Sequence, residues 1–461
     1  MSGGTNGGWG KTYVDRLFAP VDVAILVYFR ILFSGILLWE VWRYWSRGWA
    51  RDYWVGKPYL YKYYGFEWVK AAPGPWPEYL WVMLAIPAAL VFLGCFYRLG
   101  AAVFFLGFTY FFLLEQTNYL NHFYLICLLS FLAILIPANG AFSVDALWRR
   151  QVRRSTVPAW TLWALRLQVG LVYFYSGLGR LSGDWLGGEP MRRWLWERAE
   201  MLGAGSWVGR FLGSEAAPYL FSWGGVLMDL LALPALLWRR TRWCAIAALT
   251  VFHLLNSWMF SIGVFPWLSI GLLFLFCDPG WPRRFFRGFG WERRAAEGEV
   301  VEGGSSRRLV VWFLMIWFLW QGVMPLRHHL YPGNELWTDE GHRFAWQMRI
   351  RHKDGEAYFY KIDPVLETPV KVDLSEFIDG RQYSAMRYRP EMILQTAHWI
   401  ADRVESEGYP RPTVNVVATA GLNGRPLSPL IDPRVDLATV ERGLLPADWI
   451  LPMQDDERSD F

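Results

Sequence analysis

Nine apolar stretches constrain this chain more than any other feature: residues 21–42, 79–96, 100–114, 120–137, 159–178, 218–238, 243–260, 264–276 and 309–326. Each carries few charges, and most approach the roughly 20 residues needed to span about 30 Å of hydrocarbon at about 1.5 Å per residue. Backbone amides have no water to bond to in that medium, so such stretches must close their hydrogen bonds internally, as helices. Across 461 residues, 54% are hydrophobic and 30 are Trp, far from the balance of a soluble multidomain enzyme. The expected fold is a mainly α integral membrane protein with about nine transmembrane helices, over residues 1–327, and a small α+β extramembrane domain over 328–461.

Arginine-rich stretches follow the fourth, sixth and eighth runs, at 148–154, 238–242 and 283–294. All three then share a side with the N-terminus, and the positive-inside rule makes that side cytoplasmic. Nine crossings put the C-terminal domain outside the plasma or inner membrane. No cleavable signal is evident in residues 1–20, so the first run serves as its own insertion signal. The net charge of +5 is mostly loop arginine, suited to anionic lipid and not to nucleic acid. The four cysteines sit in or beside apolar runs without a CxxC pair, so neither a disulfide framework nor a metal site is expected. No internal repeat of the kind transporters carry is visible.

In the C-terminal part, residues 343–364 alternate apolar and polar about Lys353-Asp354-Gly355, which reads as a turn between two strands. Residues 389–408 have helical spacing and stop at a glycine, and 413–432 read as a hairpin turning near Asn423-Gly424. The polar segment 293–308 reads as a loop.

A charge within a membrane segment costs roughly 2.5 kcal/mol or more at mid-depth, so each needs a partner or a task. Arg30 and Glu40, ten apart, do not share a helix face and read as ties to other helices. Asp229 follows Gly224-Gly225, where two glycines let helices approach, and is either a tie or part of a site. His122 follows Asn121 directly, and His253 lies three before Asn256. A lone helical histidine is ordinarily a satisfied core residue; two such pairs on different helices point towards a shared site. Arg180 and Asp184 have i,i+4 spacing and form an ion pair if their helix continues.

Taken in order, 20–35 (PVDVAILVYFRILFSG), 114–132 (LEQTNYLNHFYLICLLSFL), SVDAL, VYFYSGLGRLSGDW, GGVLMDL, FHLLNSWMFSIGVFPW and IDPRVD resemble the vitamin K-dependent gamma-glutamyl carboxylase family, whose membrane part is also called the HTTM domain. The resemblance covers roughly residues 18–440. It implies a membrane enzyme that oxidises reduced vitamin K or another hydroquinone with O2, uses that oxidation to remove a proton from a glutamate γ-carbon, and adds CO2, with no metal. Membrane lipid, quinone and a glutamate-containing peptide or protein are the implied partners. It also implies that His122 and His253 are site histidines, that Asn121, Asn256, Asp184, Trp185 and Asp229 line or support the quinone and substrate site, and that Arg180 occupies the catalytic lysine's position. A guanidinium stays protonated in essentially any protein setting, whereas a desolvated lysine can cycle a proton. Either His122 or His253 therefore takes the first proton while Arg180 holds an anion, or the complete reaction is lost. The alternative is a non-catalytic quinone- or lipid-binding receptor that retains the fold.

Overall fold

The computed structural model describes residues 8–203, 205–260, 262–285, 304–362 and 368–454. The loop expected at 293–308 and the arginine stretch at 283–294 lie largely outside them. Each of the nine apolar runs forms a helix: α1 (Ala24–Ser46), α2 (Trp76–Leu93), α3 (Tyr97–Leu114), α4 (Asn121–Leu135), α5 (Ala159–Gly179), α6 (Ala216–Leu237), α7 (Arg242–Phe260), α8 (Phe265–Phe276) and α9 (Gly304–Val323).

The count of nine spans is nevertheless not borne out. Among the described residues six helices are long and apolar enough to cross a membrane: α1, α2, α3, α6, α7 and the stretch Ser306–Leu330 that includes α9. α4 has 15 residues, about 23 Å of rise, and α8 is shorter. α5 has the length, but Arg166, Gln168 and its aromatic and glycine residues dilute its hydropathy. α1 is the most enclosed of the six and α7 and α9 the least, which places α1 centrally and turns the outer faces of α7 and α9 to the surroundings.

α5 and α6 pack closely because of glycines on α5, not α6. A Cβ on Gly170 would come within 2.9 Å of Leu233, and one on Gly177 within 2.8 Å of Leu230, whereas at Gly224 it would meet nothing and at Gly225 only ordinary contacts. The expectation that Gly224-Gly225 bring the helices together is thus corrected.

The two ends of the bundle differ. At one end β1 (Pro20–Asp22) pairs with β2 (Thr156–Pro158), Arg283 binds Asp22 at 2.8 Å, and Asp145 accepts from the backbone between α2 and α3. At the other end the segments after α1, α3, α5 and α7 all meet the C-terminal part. Lys57 pairs with Asp379 at 2.7 Å, Glu115 accepts from Gln382 at 2.8 Å, Asp184 pairs with Arg425 at 2.7 Å, and Phe260 lies under Arg349.

The C-terminal part carries β3 (Lys353–Ile362), β4 (Pro369–Lys371), α10 (Pro390–Ser406), β5 (Thr413–Leu422) and β6 (Ser428–Pro429), with antiparallel strand order β4-β3-β5-β6. α10 and the turn at Asn423-Gly424, both at positive φ, agree with the sequence. Lys353-Asp354-Gly355 does not make a turn: it opens β3, facing Leu422, Gly421 and Ala420 of β5. Gly355 is required there by close approach, since a Cβ would collide with the Thr419 carbonyl. The apolar core of this part is continuous with Trp185, Met191, Trp194 and Leu195, which follow α5.

Preceding β3 is a strap, residues 343–350, with three non-glycine residues at positive φ: Phe344, Trp346 and Arg349. It is fixed by side chains of the helices. Phe344 N–H donates to the Tyr119 hydroxyl at 2.8 Å, and Trp346 stacks on Tyr124 with centroids 4.8 Å apart. An L-residue at positive φ is held there only when its surroundings over-determine it.

Candidate functional site

Six polar side chains from three helices converge on one cavity of ≈ 630 Å³, open mouth included. α5 supplies Tyr173, Ser176 and Arg180, α6 supplies Asp229, and α7 supplies His253 and Asn256. Leu125, Val169, Val172, Phe252, Phe265 and Leu272 give it a mainly apolar wall, and Met348 and Arg349 of the strap close one side.

Arg180 is the cap residue of α5, so the helix does not continue to Asp184 and the expected Arg180–Asp184 pair does not form. The Arg180 guanidinium reaches Asp229 instead, and Nη1 also donates to the Ser176 hydroxyl at 2.6 Å. Nη2 donates to the Met348 carbonyl at 3.2 Å, and the Trp185 ring lies 5.0 Å from the guanidinium carbon. Both charged side chains are almost wholly buried, at 8% and 3% exposure. A pair so enclosed has lost its water and depends on its partners.

His253 accepts from or donates to the Tyr173 hydroxyl at 2.6 Å through Nε2, while its Nδ1 is buried without a partner among the described residues. In the neutral ring the two roles are linked: where Nε2 donates to the Tyr173 oxygen Nδ1 is an acceptor, and where Nε2 accepts Nδ1 carries the proton. Asn256 donates to the Phe252 carbonyl one turn earlier, leaving its amide oxygen for other use.

His122 does not line this cavity, contrary to the expectation that both histidines do. It sits at the start of α4 with Nε2 buried and without a partner among the described residues, and the Phe265 ring touches both imidazoles, at 5.7 Å from His122 and 5.9 Å from His253. Asn121 donates weakly to the Gln347 carbonyl of the strap, at 3.4 Å, and accepts from the Tyr119 hydroxyl at 2.9 Å. Asp184 is spent on the C-terminal hairpin, where Arg425 binds both its oxygens at 2.7 Å and Asn423 adds a bond at 2.8 Å. Trp185 reaches the site only by supporting Arg180, its indole N–H held by the Ser222 carbonyl at 2.9 Å.

Of the other intramembrane charges, Arg30 donates to the Ala138 and Phe142 carbonyls, tying α1 to the segment after α4. Glu40 pairs with Arg43 on its own helix, so it is not the interhelical tie expected. Among the described residues no cluster of His, Cys, Asp and Glu suited to a metal ion occurs.

Sequence reasoning missed Tyr173, Ser176, Met348 and Arg349. The first two lie seven and four residues before Arg180, on its helix face, and that spacing was a usable signal. The strap residues gave none, since only the tertiary fold brings them 168 positions back to Arg180.

A family model described as the HTTM domain matches residues 18–281. A second, the vitamin K-dependent gamma-carboxylase lumenal domain, matches 306–456. The chain belongs to the vitamin K-dependent gamma-carboxylase family. No solved structure matches it. Within this family the chain is an integral membrane protein whose HTTM helices carry the polar cavity, while its lumenal-type domain supplies the strap beside it.

The Asp184–Arg425 clamp joins these two parts and gives a pH prediction. Hydrogen bonding from Arg425 holds the Asp184 carboxyl below the usual aspartate value. The folded value is depressed, so the clamp's contribution is complete above the unfolded aspartate range and is lost as pH falls through the folded value, below about 4. Asp184→Asn should cost about 1–2 kcal/mol near neutrality. Its unfolding midpoint in detergent should then fall less than the parent's on acidification; parallel curves for the two proteins would remove the clamp from the account.

Proposed function

We propose that this chain is a vitamin K-dependent gamma-carboxylase-like membrane enzyme, coupling oxidation of a reduced quinone by O2 to proton removal from a glutamate γ-carbon and addition of CO2. The observation that carries this reading is the convergence of the Arg180–Asp229 and Tyr173–His253 pairs on one mainly apolar cavity beside the lumenal-type domain. The apolar wall suits a quinone ring and prenyl chain. His253 Nδ1 and Arg180 Nε, both buried without a partner among the described residues, suit its oxygens. Reduced vitamin K supplies, through its oxidation, the strong base that no side chain provides near neutral pH.

The residues themselves exclude water, orient and move single protons. His253, backed by Tyr173, is the imidazole found on the cavity wall among the described residues and takes the first proton from a hydroxyl placed against Nδ1. Arg180, fixed by Asp229, Ser176 and Met348, supplies constant positive charge for a developing oxyanion. Arg349 makes no ion pair among the described residues and rests on Phe260 at 5.0 Å, so its guanidinium is left to receive a substrate carboxylate.

We further infer nine crossings, with the N-terminus cytoplasmic and residues 328–461 as the outer domain. The alternation of loop contacts between the bundle's two ends supports an odd number. Membership of a carboxylase family does not favour the reading of a non-catalytic receptor.

Purified protein given reduced vitamin K or menaquinol, O2, bicarbonate and a glutamyl peptide should yield quinone epoxide and a peptide heavier by one carboxylate, both read by mass spectrometry. Absence of epoxide across both quinols would sink the proposal. His253→Ala should lower epoxide formation by roughly 100-fold or more, as expected for loss of a positioned proton carrier.

A further inference from the structure

A second cavity, ≈ 770 Å³ with its open mouth included, opens at the end of the bundle away from the lumenal-type domain, between the start of α3 and the segment joining α4 to α5. Arg98, Arg149 and Arg154 line it with Tyr97, Asn139 and Asp145. The single carboxylate does not pair with Arg98 or Arg149, which alone outnumber it. Asp145 Oδ1 accepts from the Phe96 amide at 2.9 Å, and Oδ2 accepts from the Tyr97 amide at 3.0 Å and from Asn139 Nδ2 at 2.8 Å. Asp145 forms no ion pair among the described residues, and its bonds already satisfy the first amides of α3, so the helix end is not itself the attraction. Arg149 rests on the Phe96 ring at 5.6 Å. The cavity therefore keeps an excess of guanidinium charge in a place where several planar donors can meet one anion.

What lies beside the cavity narrows the anion. Leu99, Val103 and Leu106 of α3 are 61%, 47% and 66% exposed, and their spacing of four and three puts them in one stripe leading away from the arginines along a helix apolar enough to cross a membrane. No described residue covers that stripe. A charged pocket at the head of a bare apolar track matches a molecule with an anionic head and an acyl tail.

We propose that this cavity is a binding site for the phosphodiester of an anionic phospholipid, whose acyl chain lies along Leu99, Val103 and Leu106. The chemistry it shares with free phosphate is the phosphoryl anion; the apolar stripe assigns the lipid.

The test uses the full chain in neutral detergent, with phosphatidylglycerol, phosphatidylcholine or inorganic phosphate as probe, reading bound lipid by native mass spectrometry and the thermal midpoint in parallel. Phosphatidylglycerol should bind saturably and raise the midpoint, while phosphatidylcholine should do neither. Arg98→Gln with Arg149→Gln should weaken phosphatidylglycerol binding by roughly tenfold or more, the consequence of losing charge-assisted bonds. Arg239→Gln with Arg240→Gln, an equal charge loss on exposed residues outside the cavity, should leave it unchanged. Should the Gln pair fail to fold, Arg98→Lys with Arg149→Lys keeps the charge without the planar fork and should bind more weakly than the parent while preferring phosphatidylglycerol over phosphatidylcholine. Equal binding of the two lipids, equal loss in the control pair, or the same midpoint rise with inorganic phosphate would each overturn the assignment.

Discussion

Asp229→Asn should be the most damaging single exchange in the membrane part, lowering stability by about 3–5 kcal/mol, because it removes the counter-charge of a guanidinium that is 8% exposed. The amide that replaces the carboxylate can still accept a hydrogen bond, but it leaves Arg180 charged in a place that water does not reach. Protein in detergent, challenged with increasing denaturing surfactant, should lose its fold at a much lower concentration than the parent. Arg180→Met combined with Asp229→Leu should recover most of that loss, since removing both charges leaves none stranded, yet should not restore epoxide formation. An Asp229→Asn protein as resistant as the parent would mean that the pair lies in a wetter site than its geometry indicates.

Arg180→Lys is the second large effect, and its direction is opposite. The ammonium can keep a bond to Asp229 and Ser176 but gives up the planar fork that also reaches Met348, a loss of about 1 kcal/mol. In exchange it can release its proton beside a buried carboxylate able to take it. If the site is otherwise that of the family, glutamate-dependent epoxidation should rise at least tenfold over the parent, within the range for a positioned acid–base group. A parent that already carboxylates at full rate, unaltered by the exchange, would place the base elsewhere. An Arg180→Lys protein that is stable and equally slow would identify Arg180 as a tie between α5 and α6 only.

The residues legible in advance were those whose presence is expensive. Arg180, Asp229, His253 and Asn256 stand out because each interrupts an apolar helix, and all four line the cavity. Partners were harder to assign than participants. Asp184 looked like the mate of Arg180 because their spacing fits a continuous helix; the helix ends at Gly179, and Asp184 is bound by Arg425, 241 residues away. His122 and His253 looked equivalent by their neighbours, but Phe265 lies against both rings and only one belongs to the cavity. Helix positions were similarly clear where hydropathy alone decides them. The strap was misread because alternation normally means a strand, and left-handed backbone at Phe344, Trp346 and Arg349 is imposed by contacts with distant helices that no local pattern encodes.

The bond from Arg180 to the Met348 carbonyl spans 168 residues of chain, and its acceptor lies beyond all nine apolar helices. Seen from the ribosome, the chamber is left open while all nine apolar helices are made and receives its last wall only when residues 343–350 have emerged and docked. A nascent or truncated chain ending before residue 343 would possess α1 to α9 yet lack Met348 and Arg349, so the order of synthesis itself keeps the chamber incomplete until the strap has been made.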